Sequence, residues 1–205
     1  MVLAEQIFVN VVLQLANPRF CSHTIVIQSL VNLNLSMSAF VIKSACFNDL
    51  EPLNDLMFDL HDEHHMQSPE LFKTAEDIEQ EKSIARYLDN PECLVYVAKW
   101  KDEVIGFISG HFCELTSTVS KPVMMGSVDE LYVSPEFRNQ GAAQALIEKI
   151  ESTFIDYGAK QMFVEVWHFN QGALSLYAKH GFGHHIHCLR KPLTANKKRH
   201  TELPY

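Results

Sequence analysis

Leu131-Tyr132-Val133-Ser134-Pro135-Glu136-Phe137-Arg138-Asn139-Gln140-Gly141-Ala142-Ala143-Gln144-Ala145-Leu146 is the stretch on which the reading of the fold turns. An apolar strand ends at Val133, and Pro135 breaks it because proline fixes φ and has no N–H to donate. A helix begins within a few residues, and Gly141, Ala142 and Ala143 form its first turn. The start of a helix presents unpaired N–H groups and the positive end of the dipole, so it attracts phosphate. Small side chains let phosphate oxygens reach the backbone. Arg138 adds a fixed positive charge beside that turn. The stretch is neither a P-loop, since G-x-x-x-x-G-K-S/T is absent, nor the dinucleotide G-x-G-x-x-G. On the turn alone, an ordinary strand–turn–helix explains the pattern at least as well.

Working outward, the apolar residues Ala143, Leu146, Ile147, Ile150, Phe154 and Tyr157 recur at helical spacing until Gly158 stops them. Gln161 to Trp167 reads as a strand, Asn170 to His180 as a short helix capped by Gly181, and Gly183 to Arg190 as a final strand. Upstream, Ser127 to Val133 is the strand that feeds the turn. Before it, Cys93 to Lys99 and Val104 to Cys113 form a hairpin across Lys101-Asp102-Glu103. Phe40 to Lys43 is a short strand. Asn48 and Glu51 have capping-box spacing, and Leu50, Leu53, Met57, Leu60 and His64 share the face of the helix that follows. A second helix is predicted from the cap Thr74, with Asp77 in the box position, to about Leu88, where Asn90-Pro91 ends it. The sum is a mixed α/β domain, one sheet with helices on its faces.

At 205 residues the chain suits one domain with appendages. Residues 1–36 differ from the rest: an apolar stretch interrupted by Asn10 and Gln14, then Pro18, with no basic residue ahead of it as a signal peptide would need. We read 1–36 as an extension outside the native domain, 37–193 as the domain, starting at Met37, and 194–205 as a tail. A net charge of −8 argues against nucleic acid and tolerates a cationic substrate such as an amine. No apolar run reaches the roughly 18 residues that cross a bilayer, so no membrane partner is expected. The five cysteines are scattered and lack a C-x-x-C pair, which points to a reducing, cytoplasmic setting.

Arg138-x-x-Gly141-x-Ala143 after Leu131-Tyr132-Val133 resembles the Q/R-x-x-G-x-G/A motif of the GNAT superfamily of N-acetyltransferases. Asn170, Ala173, Tyr177 and Gly181-Phe182 are similar to that family's second motif, N-x-x-A-x-x-x-Y-x-x-x-G-F. Two motifs in order, one helix and one strand apart, are far more specific than either alone. The resemblance runs from about Phe40 to Leu193 and is firm from Ser127 to Phe182. Ala142 departs from it, being small where the family usually has a larger apolar residue.

The resemblance implies a central, mostly antiparallel sheet with one splayed parallel pair and helices on both faces. It implies acetyl-CoA as co-substrate, a small-molecule or peptide amine as acceptor, and attack within a ternary complex, and it leaves a homodimer open. The amides of Gln140, Gly141, Ala142 and Ala143 would hold the pyrophosphate, with Arg138 shaping the turn and Asn139 among the cofactor-binding residues. The main chain at Leu131 and Val133 would bond the pantetheine arm, and Asn170 would touch that arm or brace the splay. Tyr177 would be the general acid for the departing thiolate, its ordinary pKa of about 10 keeping it protonated. An alkylammonium must lose a proton before it attacks. Asp129 and Glu130 are the candidate bases, on opposite faces of a regular strand; Asp129, in phase with Leu131 and Val133, is preferred. His64, His65 and Phe72 lie where the family builds its acceptor wall.

Eleven histidines invite a metal, but no spacing resembles a zinc site and none is expected. Cys113 and Cys188 read as small hydrophobes rather than acetyl carriers. Two other readings stand beside catalysis: an acyl-CoA sensor without chemistry, and an unrelated mononucleotide-binding domain.

Overall fold

Apolar residues alternating along the central runs, with β-branched side chains well represented, form a five-stranded sheet in the computed structural model, which describes residues 40–191 and 193. The expected extension 1–36 and tail 194–205 lie outside the described residues. In chain order the elements are β1 (Phe40–Ser44), α1 (Leu50–Gln67), α2 (Ala75–Glu81), α3 (Ile84–Asp89), β2 (Cys93–Trp100), β3 (Glu103–Leu115), β4 (Val123–Val133), α4 (Ala142–Asp156), β5 (Gln161–Val164) and α5 (Gln171–Lys179). The chain divides into two compact units between Glu165 and Val166, and only α5 belongs to the second.

The strands lie in sequence order. Every neighbouring pair is antiparallel except β4 and β5, which are parallel. That parallel ladder is short: it joins Met125–Val128 to Gln161–Val164 and goes no further. Beyond Val128, β4 continues for five residues with its far edge unpaired by β5. The expected splay between the two strands is therefore present.

Helices cover both faces. On one, Leu53, Leu56 and Met57 of α1 and Ile84 of α3 bury against Val95, Val97, Phe107 and Tyr132. On the other, α4 buries Leu146, Ile147, Ile150 and Phe154 almost completely. Each contributes about 1.5–3 kcal/mol by leaving water. Close approach of α4 depends on glycine: a Cβ at Gly126 would lie 2.2 Å from the Phe154 ring. One buried polar pair also fixes α4, Tyr96 Oη and Thr153 Oγ1 at 2.8 Å.

Several expected boundaries change. The run from Thr74 to Leu88 is two helices, because Lys82 and Ser83 turn extended and Ser83 Oγ accepts from Ala85 N–H to start α3. Thr74 does cap α2, accepting from Asp77 N–H. The box before α1 is made by Cys46 and Asp49, not by Asn48 and Glu51, since a one-turn 3-10 helix, Phe47–Asp49, precedes it. The strand from Gln161 stops at Val164 rather than Trp167. Gly183 to Arg190 carries no regular structure: no ladder bonds hold it, and Ile186 and Leu189 are exposed. No described helix is long and apolar enough to cross a membrane.

Gly126→Ala should lower stability by about 1–3 kcal/mol, the usual consequence of overpacking. Urea unfolding checks it; an unchanged midpoint would mean that α4 does not rest on β4 as described.

Candidate active site

The turn after β4 is built by two left-handed residues. Asn139 has φ 60° and Gly141 φ 91°, so the backbone reverses twice before α4 begins at Ala142. Asparagine and glycine are the residues that tolerate this conformation best. No described residue accepts a hydrogen bond from the main-chain N–H of Gln140, Gly141, Ala142 or Ala143. The nearest atom to a Cβ placed on Gly141 would be Phe40 Cζ, 3.9 Å away, so no side chain plugs the space there. These donors lie at the positive end of a fifteen-residue helix, the kind of place that attracts an anion, although Ala142 itself is buried.

Arg138 braces the approach to that turn. Its Nε donates to the Val133 carbonyl at 2.8 Å and its Nη2 to Glu63 Oε1 of α1 at 2.6 Å. The same Glu63 oxygen accepts from Tyr132 Oη at 2.9 Å. Ser134 N–H bonds back to Ile105 of β3, so by antiparallel alternation Leu131 and Val133 turn their peptide groups to the open edge of β4. The Val133 carbonyl on that edge is taken by Arg138.

The candidate bases lie on a bulge. β3 and β4 change register between Ser109, opposite Glu130, and Gly110, opposite Val128, which leaves Asp129 as the extra residue. The expectation that Asp129 and Glu130 face opposite sides fails for this reason, as does the phase shared by Asp129 with Leu131 and Val133. Both carboxylates line one cleft of about 560 Å³, with Lys82, Arg86, Tyr87 and His111 among its other walls.

Their environments differ. Glu130 is buried, accepting from Ser109 Oγ on one oxygen and from Lys82 Nζ on the other. Burial works against the Lys82 ammonium, but the Glu130 carboxylate outweighs it and raises its pKa. Asp129 instead holds His111, whose Nδ1 lies 3.1 and 3.0 Å from its two oxygens. Above them, burial and the nearby carboxylates push the Tyr87 phenol and the Cys93 thiol upward.

The remaining candidates fall elsewhere. His64 stacks on Phe72 at 5.3 Å, and His65 Nδ1 donates to the Phe72 carbonyl at 3.0 Å, so the three brace the loop after α1 and do not line the cleft. His61 is half-buried, and desolvation with the Lys82 charge lowers its pKa to about 4, leaving it neutral. Asn170 and Tyr177 belong to the second unit. Asn170 caps α5 by accepting from Ala173 N–H, and Tyr177 packs edge-on against Phe182 at 5.2 Å. Burial raises the Tyr177 phenol above its ordinary value.

Sequence reasoning missed Lys82, Ser109, His111 and Glu63. A signal existed for two of them: Ser109 and His111 are polar residues inside an otherwise apolar strand, where a buried polar group is the informative exception. Among the described residues no group of three or more His, Cys, Asp or Glu is placed to hold a metal ion.

A mixed sheet with one short parallel pair and an open strand edge is the N-acetyltransferase type of fold. The model of the acetyltransferase (GNAT) family matches residues 57–182, and the chain belongs to that family. It is similar to an uncharacterised N-acetyltransferase of Mycobacterium bovis, 31% identical over 98 residues that cover 48% of this chain and 58% of that one. The match thus spans less than two thirds of the relative's length. An acetyltransferase from Vibrio fischeri of known crystal structure is 57% identical, covering 62% of this chain and 96% of that chain, with a TM-score of 0.53. An aminoglycoside N-acetyltransferase solved in complex with CoA is 18% identical over 75% of this chain and 100% of its own, with a TM-score of 0.54, a likeness of fold alone.

Lys82→Met should lose about 2 kcal/mol at neutral pH, because Glu130 is then buried without its cation. Since the Lys82 pKa is raised on folding, that contribution is present in full below pH 10.5 and fades as pH rises through the folded value. Urea midpoints of the two proteins should therefore converge in strong alkali; a gap that stays constant would remove the ion pair from the explanation.

Proposed function

We propose that the protein transfers the acetyl group of acetyl-CoA to a primary amine, small molecule or peptide, by direct attack with both substrates bound. The observation that carries this reading is the set of N–H groups from Gln140 to Ala143 that meet no described acceptor, with nothing closer than 3.9 Å to a Cβ placed on Gly141. These amides would hold the pyrophosphate, with Arg138 and Asn139 keeping the turn in shape. The Leu131 peptide and the Val133 N–H, on the open edge of β4, would bond the pantetheine arm. Asn170 would touch that arm or brace the splay, as the resemblance implies. Bringing donor and acceptor together in one orientation supplies much of the rate.

Tyr177 is the proton donor in this reading. Burial holds its phenol in the protonated form at neutral pH, and a departing thiolate needs that proton. Asp129 and Glu130 line the cleft where the amine would enter, so carboxylates meet the cationic acceptor. His64, His65 and Phe72 would act on the acceptor side only through the loop they brace.

The test is free thiol release from acetyl-CoA with polyamines, aminoglycosides, amino acids and peptides as acceptors. Tyr177→Phe should lower kcat by about 100-fold while leaving the KM for acetyl-CoA near its original value. Tight acetyl-CoA binding with no turnover, unaffected by Tyr177→Phe, would make the chain a sensor instead. Gly141→Ala should weaken CoA binding about tenfold, because a side chain at φ 91° strains the turn by about 1–2 kcal/mol. Calorimetric titration with CoA checks this; unchanged affinity would place the pyrophosphate elsewhere.

A further inference from the structure

We propose that His111, oriented by Asp129, takes the proton from the acceptor amine. The inference rests on the N-acetyltransferase reading above and names a residue that neither motif contains. Of the two carboxylates on the β4 bulge, Glu130 is closed to this task. Its side chain is 4% exposed, and Lys82 and Ser109 occupy its two oxygens. Asp129 presents both oxygens to one atom, His111 Nδ1. A carboxylate can only accept, so Nδ1 carries the hydrogen, and in the neutral ring the lone pair sits on Nε2. No described residue hydrogen-bonds to that Nε2, and the ring is 39% exposed in the wall of the cleft.

The charges around the ring favour this division of work. From the α2–α3 junction and α3 come Lys82, Arg86 and Tyr87; from β2, Cys93; from β4, Asp129 and Glu130; and after β5, Glu165. Lys82 is neutralised by Glu130, and burial keeps the Tyr87 and Cys93 protons in place. Asp129 is thus the charge in direct contact with the imidazole, and it fixes the ring's tautomer and orientation. Imidazole is the side chain suited to gaining and losing a proton near neutral pH.

The step balances as follows. Nε2 of His111 removes one proton from the ammonium, and the nitrogen lone pair forms the C–N bond at the acetyl carbonyl carbon. The C–S bond breaks with its electron pair going to sulfur, which takes a proton as it leaves. The nitrogen sheds its second proton to become a neutral amide, and the imidazolium releases its own to water. Asp129 is a positioning residue throughout and touches only the imidazole.

The experiment is the pH profile of kcat/KM from pH 6 to 10, by thiol release, using the fastest of spermidine, kanamycin, L-lysine and a tripeptide. His111→Ala and His111→Gln should each lower kcat/KM at pH 7.5 by about 100-fold, with the loss shrinking at high pH where free amine is already present. Added imidazole should restore part of the rate to His111→Ala. Asp129→Asn should lower kcat with the KM for acetyl-CoA unchanged, since the ring loses the acceptor that fixes its tautomer and orientation. The thermal shift given by CoA should be the same in all variants. Wild-type rate, or an unmoved acid limb, in both His111 variants would overturn the assignment alone. No turnover by the wild type with any of the four amines would overturn the acetyltransferase reading and this assignment with it.

Discussion

Where β4 crosses from its parallel neighbour to its free edge, the ladder with β3 sets two residues of β4 against one of β3, and Asp129 is the residue left over. A regular strand would send one of two adjacent carboxylates to each side of the sheet. The bulge sends both to the same side, where one is consumed inside the protein and the other faces the cleft. It falls at the point where β5 stops pairing, so the same short stretch ends the parallel ladder and begins the open edge. The cleft and the open edge both follow from that placement.

A buried carboxylate on the bulge needs a cation, and the chain supplies it by interrupting a helix. Lys82 stands in the extended pair that separates α2 from α3, so its side chain reaches inward to Glu130 instead of lying along a helical surface. Ser109 serves the other oxygen from the neighbouring strand. With its lone pairs satisfied, Glu130 is a fixed part of the wall, and the cleft keeps a second acid, Asp129, of separate character.

The turn and its helix were legible from the residues because their causes are local: Pro135 ends a strand, and Gly141 and two alanines begin a helix. The second motif was equally readable, for Asn170 caps and Gly181 terminates within one short element. The hairpin and the apolar face of α4 follow from periodicity. The bulge was not legible, since register depends on which residue of β3 stands opposite β4, a fact no single strand contains. For the same reason the sequence alone places Asp129 and Glu130 on opposite faces and does not bring His111 beside Asp129. The break at Lys82 could have been suspected from Ser83, a capping residue in mid-helix. The missing final strand had the reverse fault: its alternating residues allow a strand, but nothing pairs with it among the described residues.

One carboxylate oxygen, Glu63 Oε1, receives both the Arg138 guanidinium and the Tyr132 hydroxyl. Arg138 in turn grips the carbonyl that ends β4. The first long helix and the loop ahead of α4 are thereby tied through a single atom, although seventy-five positions separate them in sequence. A rigid-body tilt of that helix has to drag the loop along or tear the tie. A displacement of the helix is therefore felt at the loop ahead of α4 without any rearrangement of the sheet.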